Sequence, residues 1–123
     1  MIAPNVRGSS GYGKTFRALD AGKRRDDAVR DVGALLVWIG LQPGLDAQRV
    51  AVMGHGNGGL LALASLGAYG DHLRGAVDVQ DTDTPASPDS PLDKVVLIHR
   101  PVLIVQGMDA SGARPAGSQQ LVW

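Results

Sequence analysis

Cysteine is absent from this 123-residue chain, which excludes a disulfide-stapled scaffold and a thiolate zinc site. Neither sign of charge is in excess. Twelve basic residues balance twelve acidic ones, so nothing in the composition points to nucleic acid or an anionic membrane surface as a partner. No apolar run approaches the roughly 20 residues that a membrane-spanning helix needs; the longest are residues 33–41 and 58–66. Met1 is followed by Ile-Ala-Pro, with no basic stretch and no signal-peptide core, so a cytoplasmic location is expected. The three histidines, His55, His72 and His99, have no metal-like spacing, and neither a metal nor a cofactor is expected. No internal repeat is visible.

What is present is a balanced globular composition, 44% hydrophobic, with glycine in excess at 17 residues, about twice the usual share. Short apolar runs alternate with amphipathic stretches. Residues 1–6 read as a short extended run, and residues 7–13 as a loop rich in glycine and serine. Residues 26–41 read as a helix: Val29, Val32, Leu36 and Ile39 recur at helical spacing, and Asp26 and Asp27 suit its positive end. Trp38, among these apolar positions, is expected in the core. Gln42-Pro43-Gly44 stops the helix. Residues 49–53 (Arg-Val-Ala-Val-Met) read as a buried strand and 54–59 as a sharp turn. Residues 58–69 read as a helix apolar nearly all round, hence buried. Residues 75–79 are a candidate strand and 101–106 (Pro-Val-Leu-Ile-Val-Gln) a strong one; residues 80–90 between them are loop-like. Strands alternating with helices predict an α/β fold with a mainly parallel sheet of about four strands, in which ligands bind at the carboxyl ends of strands. The two glycine-rich turns fall at that edge.

The stretch Val50-Ala-Val-Met-Gly-His-Gly-Asn-Gly-Gly-Leu-Leu61 has the order strand, tight turn, buried helix. That is the setting of a nucleophile elbow, whose pattern is Gly-x-Ser-x-Gly. The outer glycines, Gly54 and Gly58, let the helix backbone pass close to the strand. The middle residue adopts a strained conformation that lifts its side chain above the sheet. Here the middle residue is Gly56.

With this elbow in place, the chain resembles the catalytic domain of the prolyl oligopeptidase family of serine peptidases, within the α/β-hydrolase fold. Pro4-Asn-Val-Arg-Gly-Ser-Ser-Gly-Tyr-Gly-Lys14 is similar to that family's strand-and-loop signature. So are residues 26–49, the elbow and helix over 50–78, and Ser90-Pro91-Leu92 followed by Arg100-Pro101-Val-Leu-Ile-Val-Gln-Gly107. The resemblance implies one partial α/β-hydrolase domain over residues 1–123. The nucleophile position then falls on Gly56, one oxyanion donor is the backbone N–H of Asn57, and a relic of the triad acid falls on Asp109. A gapless match places Ala110 at the acid position itself. It also implies that the family's histidine segment lies further downstream than this chain reaches, and that the first strands of the domain lie upstream of it. The resemblance implies that the strand expected before Met1 sits between those matching residues 2–6 and 49–53. Residues 2–6 are then expected to pair differently, sit loose or meet a partner chain, and an open sheet edge would invite homo-oligomerisation.

Glycine carries no nucleophilic atom, so the expectation is a catalytically silent remnant of a serine hydrolase, its ligand class a peptide or small ester. One alternative is a weak hydrolase in which His55, beside the missing nucleophile, serves as base or nucleophile. Another is an oligomerising binding module. A further one lies in Gly8-Ser-Ser-Gly-Tyr-Gly-Lys-Thr15, which fits the phosphate-loop pattern G-x-x-x-x-G-K-[ST]. There Gly8 and Gly13 would shape the loop, Lys14 would reach the terminal phosphate, and Thr15 would hold Mg²⁺. Asp78 closes a candidate strand and could act as an acid from its end. Ser65 lies about 13 Å along the helix from Gly56 and cannot replace the nucleophile.

Overall fold

The computed structural model describes residues 1–20, 25–80 and 97–107. The chain divides into two compact units, residues 1–47 and 48–123.

The first unit contains helix α1 (Gly13–Arg17), a 3₁₀ turn (Ala18–Asp20) and helix α2 (Arg25–Leu41). Residues 1–6, read from the sequence as a short extended run, form no strand and pair with no described strand. Pro4 has no N–H to give a ladder. The Val6 carbonyl is taken up locally, by the Ser9 amide at 3.1 Å and the Ser9 hydroxyl at 2.6 Å. In α2, Asp26 and Asp27 occupy the first turn, where the helix dipole favours negative charge. Ala28, Val32 and Ile39 form its buried stripe. Trp38, expected in the core, is 48% exposed beside the exposed Val37 and Leu41. It is one residue from Ile39 and so turned about 100° away from the buried stripe. The helix ends where the Gln42 amide bonds Ile39 O at 3.1 Å and Leu45 N bonds Gln42 O at 3.2 Å around Pro43-Gly44.

The second unit is a sheet of three described strands, β1 (Val52–His55), β2 (Ala76–Gln80) and β3 (Val102–Gln106), in the order β1-β2-β3 and all parallel. The α/β architecture expected from the sequence is thus present. Helix α3 (Asn57–Tyr69) connects β1 to β2. The register aligns Val52, Ala76 and Val102, then Gly54, Asp78 and Ile104, on one face. Met53, Val77 and Leu103, then His55, Val79 and Val105, share the other. Ala62, Leu63, Leu66, Leu73 and Ala76 are buried with Ser65 and Asp78. Each fully buried leucine contributes roughly 1.5–3 kcal/mol relative to exposure. On the second face Met53 is 73% and Leu103 58% exposed. Arg100 donates from Nε to Gly70 O at 2.9 Å, satisfying a carbonyl just beyond the end of α3. No helix among the described residues is long and apolar enough to cross a membrane.

The candidate active-site elbow

Parallel strands all present their carboxyl ends at one edge of the sheet. β1 reaches that edge at His55, and the chain reverses within one residue into α3. Gly56 makes the reversal at φ 56° and ψ −120° and is the N-cap of α3. An L-residue rarely occupies that conformation, so the turn has the strained backbone that an elbow requires. The turn is tied down on both sides. Gly56 N donates to Val79 O of β2 at 2.9 Å, and Gly56 O accepts from Gly59 N at 3.0 Å and Leu60 N at 3.3 Å.

The flanking glycines have a different cause. A Cβ on Gly54 would fall on the carbonyl of Gly58, and one on Gly59 would fall on the carboxyl of Asp78. The first turn of α3 therefore rests directly on β1 and β2, a crossing that only hydrogen at these Cα positions permits. At Gly56, by contrast, an added Cβ would meet nothing within 4 Å. The middle position of the Gly-x-Ser-x-Gly pattern is thus open space occupied by a residue without a side chain. The Asn57 and Gly58 amides open α3 ahead of its first intrahelical bond.

Other candidates are placed as follows. His55 is exposed at the end of β1, in register with Val79 and on the open face of the sheet. Asp78 is in the middle of β2, not at its end, and is fully buried beneath Gly59. It faces α3 and not the edge where a substrate would lie, so it cannot serve as an exposed acid. Asp109 and Ala110 lie outside the described residues. His72 and His99 are exposed and precede β2 and β3, at the opposite edge of the sheet from the elbow. Ser65 is fully buried in α3, and its hydroxyl has no hydrogen-bond partner among the described residues.

The glycine-rich loop of the first unit has its own internal order. Gly8, Gly11 and Gly13 all have positive φ. Gly8 N donates to Phe16 O at 3.1 Å, Asn5 Nδ2 donates to Tyr12 Oη at 2.7 Å, and the Tyr12 and Phe16 rings pack at 5.3 Å. The Gly8 and Ser9 amides are thus committed to the chain's own carbonyls. Lys14 and Thr15 lie in α1, which is only five residues long and follows no strand. A phosphate loop instead points its amides at the ligand and opens a full helix after a strand. Among the described residues no group of histidines and acids is placed to hold a metal.

One feature has no signal in the sequence. Arg7 grips Asp31, 24 residues away, through Nε at 2.9 Å, Nη2 at 2.5 Å and its backbone amide at 2.9 Å. Asp27 stands 3.6 Å from the same guanidinium and also pairs with Arg30 at 2.9 Å. The hydrogen bonds from Arg7 hold the Asp31 carboxyl below its ordinary range, against a smaller opposing effect of burial. The same contacts raise Arg7. The pair fastens the start of the glycine-rich loop to α2.

Compared with protein families, residues 1–82 match the model of the prolyl oligopeptidase family. That span includes the glycine-rich loop, α2, the elbow, α3 and β2. Comparison with curated proteins gives no match.

Proposed function

The chain belongs to the prolyl oligopeptidase family, and on that premise we propose that its elbow is catalytically silent, a peptidase-type scaffold that has kept the turn and lost the nucleophile. The observation that supports this reading is Gly56 itself, at φ 56° and ψ −120° with open space where a side chain would stand. Acyl transfer by this family type needs an oxygen at that point, a base to take its proton, and donors for the oxyanion. At Gly56 the oxygen is missing, while the Asn57 amide keeps the place of an oxyanion donor. A peptide or small ester can therefore meet the cradle without forming an acyl-enzyme.

The test is hydrolysis of p-nitrophenyl esters and Pro-containing peptides by the purified chain, with fluorophosphonate labelling read by intact mass. The expected result is a rate at the buffer background and no adduct. A labelled serine would overturn the proposal. So would turnover well above background that disappears in His55→Ala. The second outcome would establish the other reading, a weak hydrolase in which His55, exposed one residue from the vacant position, supplies the base or nucleophile.

A further inference from the structure

Asparagine occurs twice in the chain, at positions 5 and 57, and Asn57 alone is followed by glycine. That dipeptide has a chemistry of its own. The carboxamide carbon of an asparagine and the backbone nitrogen of the next residue are placed to close a five-membered ring. A side chain on the next residue obstructs the closure, and glycine has none. No aspartate in the sequence precedes glycine, and Gln106-Gly107 would need the slower six-membered ring.

The fold holds the pair where the ladder of α3 has not yet claimed it. Asn57 is the first residue of α3 and Gly58 the second. The first amides that bond back to Gly56 O are those of Gly59, at 3.0 Å, and Leu60, at 3.3 Å. The Gly58 nitrogen is thus among the groups that a helix start leaves outside its own ladder. Among the described residues nothing stands within 4 Å of the point where a Cβ on Gly58 would be. Turning the Asn57–Gly58 peptide toward the Asn57 carboxamide gives up the bond that the Asn57 carbonyl accepts one turn on, and helix ends surrender such bonds first. Asn5 is placed the opposite way. Its Nδ2 donates to Tyr12 Oη at 2.7 Å, and Val6 after it is branched at Cβ.

We propose that Asn57 is a site of spontaneous modification in the folded chain, through a succinimide closed by the Gly58 nitrogen onto the Asn57 side chain. Base takes the Gly58 amide proton, and the nitrogen bonds to Cγ of Asn57. The Cγ–Nδ2 bond breaks, and the carboxamide nitrogen leaves as ammonia. Water then opens the ring at one carbonyl or the other, giving aspartate or isoaspartate at position 57. Either product puts a carboxylate on the first turn of α3, where the helix dipole stabilises negative charge. That charge stands one residue from Gly56 and opposes any other anion at the turn. Isoaspartate also lengthens the main chain by a methylene at the crossing where the Gly58 carbonyl lies against Gly54. The inference is independent of whether the elbow is silent, because its readouts are charge and mass and not turnover.

The test holds the purified full chain for days at physiological temperature and mildly alkaline pH, without denaturant, and follows it by isoelectric focusing and peptide mass mapping. The chain carries no net charge, so one new carboxylate is well resolved. The expected result is an acidic species whose change maps to position 57, with isoaspartate detected by an isoaspartate-specific carboxyl methyltransferase. Hydroxylamine added to the folded chain should cut it into residues 1–57 and 58–123. Asn57→Gln should give neither the species nor the fragments. Gly58→Ala keeps the asparagine, has room for its Cβ, and should slow the conversion at least about tenfold. A chain that converts only when unfolded in urea would overturn the proposal. So would an acidic species that forms at the same rate in Gly58→Ala or in Asn57→Gln, or one that maps to Asn5.

Discussion

Gly54 and Gly56 are glycine for different reasons, and substitution separates them. Gly56 is demanded by backbone conformation alone, since a Cβ there has room. Gly56→Ala should therefore cost only strain, about 1–3 kcal/mol, measured as a lower urea midpoint with an unchanged slope. Gly54 is demanded by contact: its Cβ would meet the Gly58 carbonyl, which cannot move without lifting α3 off β1. Gly54→Ala should be the more damaging change, with loss of cooperative unfolding as its extreme. Ser65 runs the other way. Its hydroxyl is fully buried and has no described partner. Ser65→Ala should raise stability by about 1 kcal/mol, because an unsatisfied buried hydroxyl is removed and little volume is lost. A fall in the midpoint would show that the hydroxyl is bonded after all.

The elements most readily read from sequence were those with strong local patterns. Residues 26–41 announced α2 through apolar spacing and the two acids at its start. The apolar run after Gly56 announced α3, and short apolar runs placed β2 and β3 within a residue. β1 was shifted, from 49–53 to Val52–His55, because its hydrogen-bond register with β2 and not its own composition sets its limits. Residues 1–6 looked extended and are not a strand, since pairing is a property of neighbours. Trp38 looked buried because its surroundings are apolar, although its angular position on α2 decides otherwise. The Arg7–Asp31 clamp was invisible, because no local rule links residues 24 apart. It nonetheless has a pH signature. Asp31 is held below its ordinary value by Arg7, so its contribution is present above the unfolded carboxylate range and is lost as pH falls through the lowered folded value. Below about pH 4 the urea midpoint should therefore fall, and Asp31→Asn should show a smaller acid-dependent fall from a lower starting point. Arg100 offers a comparison without that dependence. Arg100→Ala removes the donor to Gly70 O and should cost about 1 kcal/mol, with faster amide exchange in the last turn of α3.

Across the whole molecule, a parallel sheet has two unlike edges, and chemistry depends on which residues reach which. The elbow stands at the carboxyl edge by construction, because it follows β1. The chain's three histidines are divided between the edges: His55 is beside the elbow, whereas His72 and His99 precede β2 and β3 at the other edge. A strand of five residues separates those edges by roughly 13 Å, too far for either imidazole to take a proton from a group on residue 56. Among the described residues the buried acid near the elbow, Asp78, is turned toward α3. Restoring the nucleophile alone therefore restores an oxygen that neither His72 nor His99 can serve as base. Gly56→Ser has the space it needs, so the hydroxyl should be aimed as in an active elbow, at the cost in stability argued for Gly56→Ala. Its ester hydrolysis should stay near background, because a serine whose proton no neighbouring imidazole takes retains only residual catalysis. Assays of Gly56→Ser and of Gly56→Ser with His55→Ala, side by side, decide the matter. Equal rates near background bear out the division of histidines between the two edges. A large gain in Gly56→Ser that vanishes in the double variant would mean that His55 swings from the open face to serve the elbow, and that one substitution separates this chain from an enzyme.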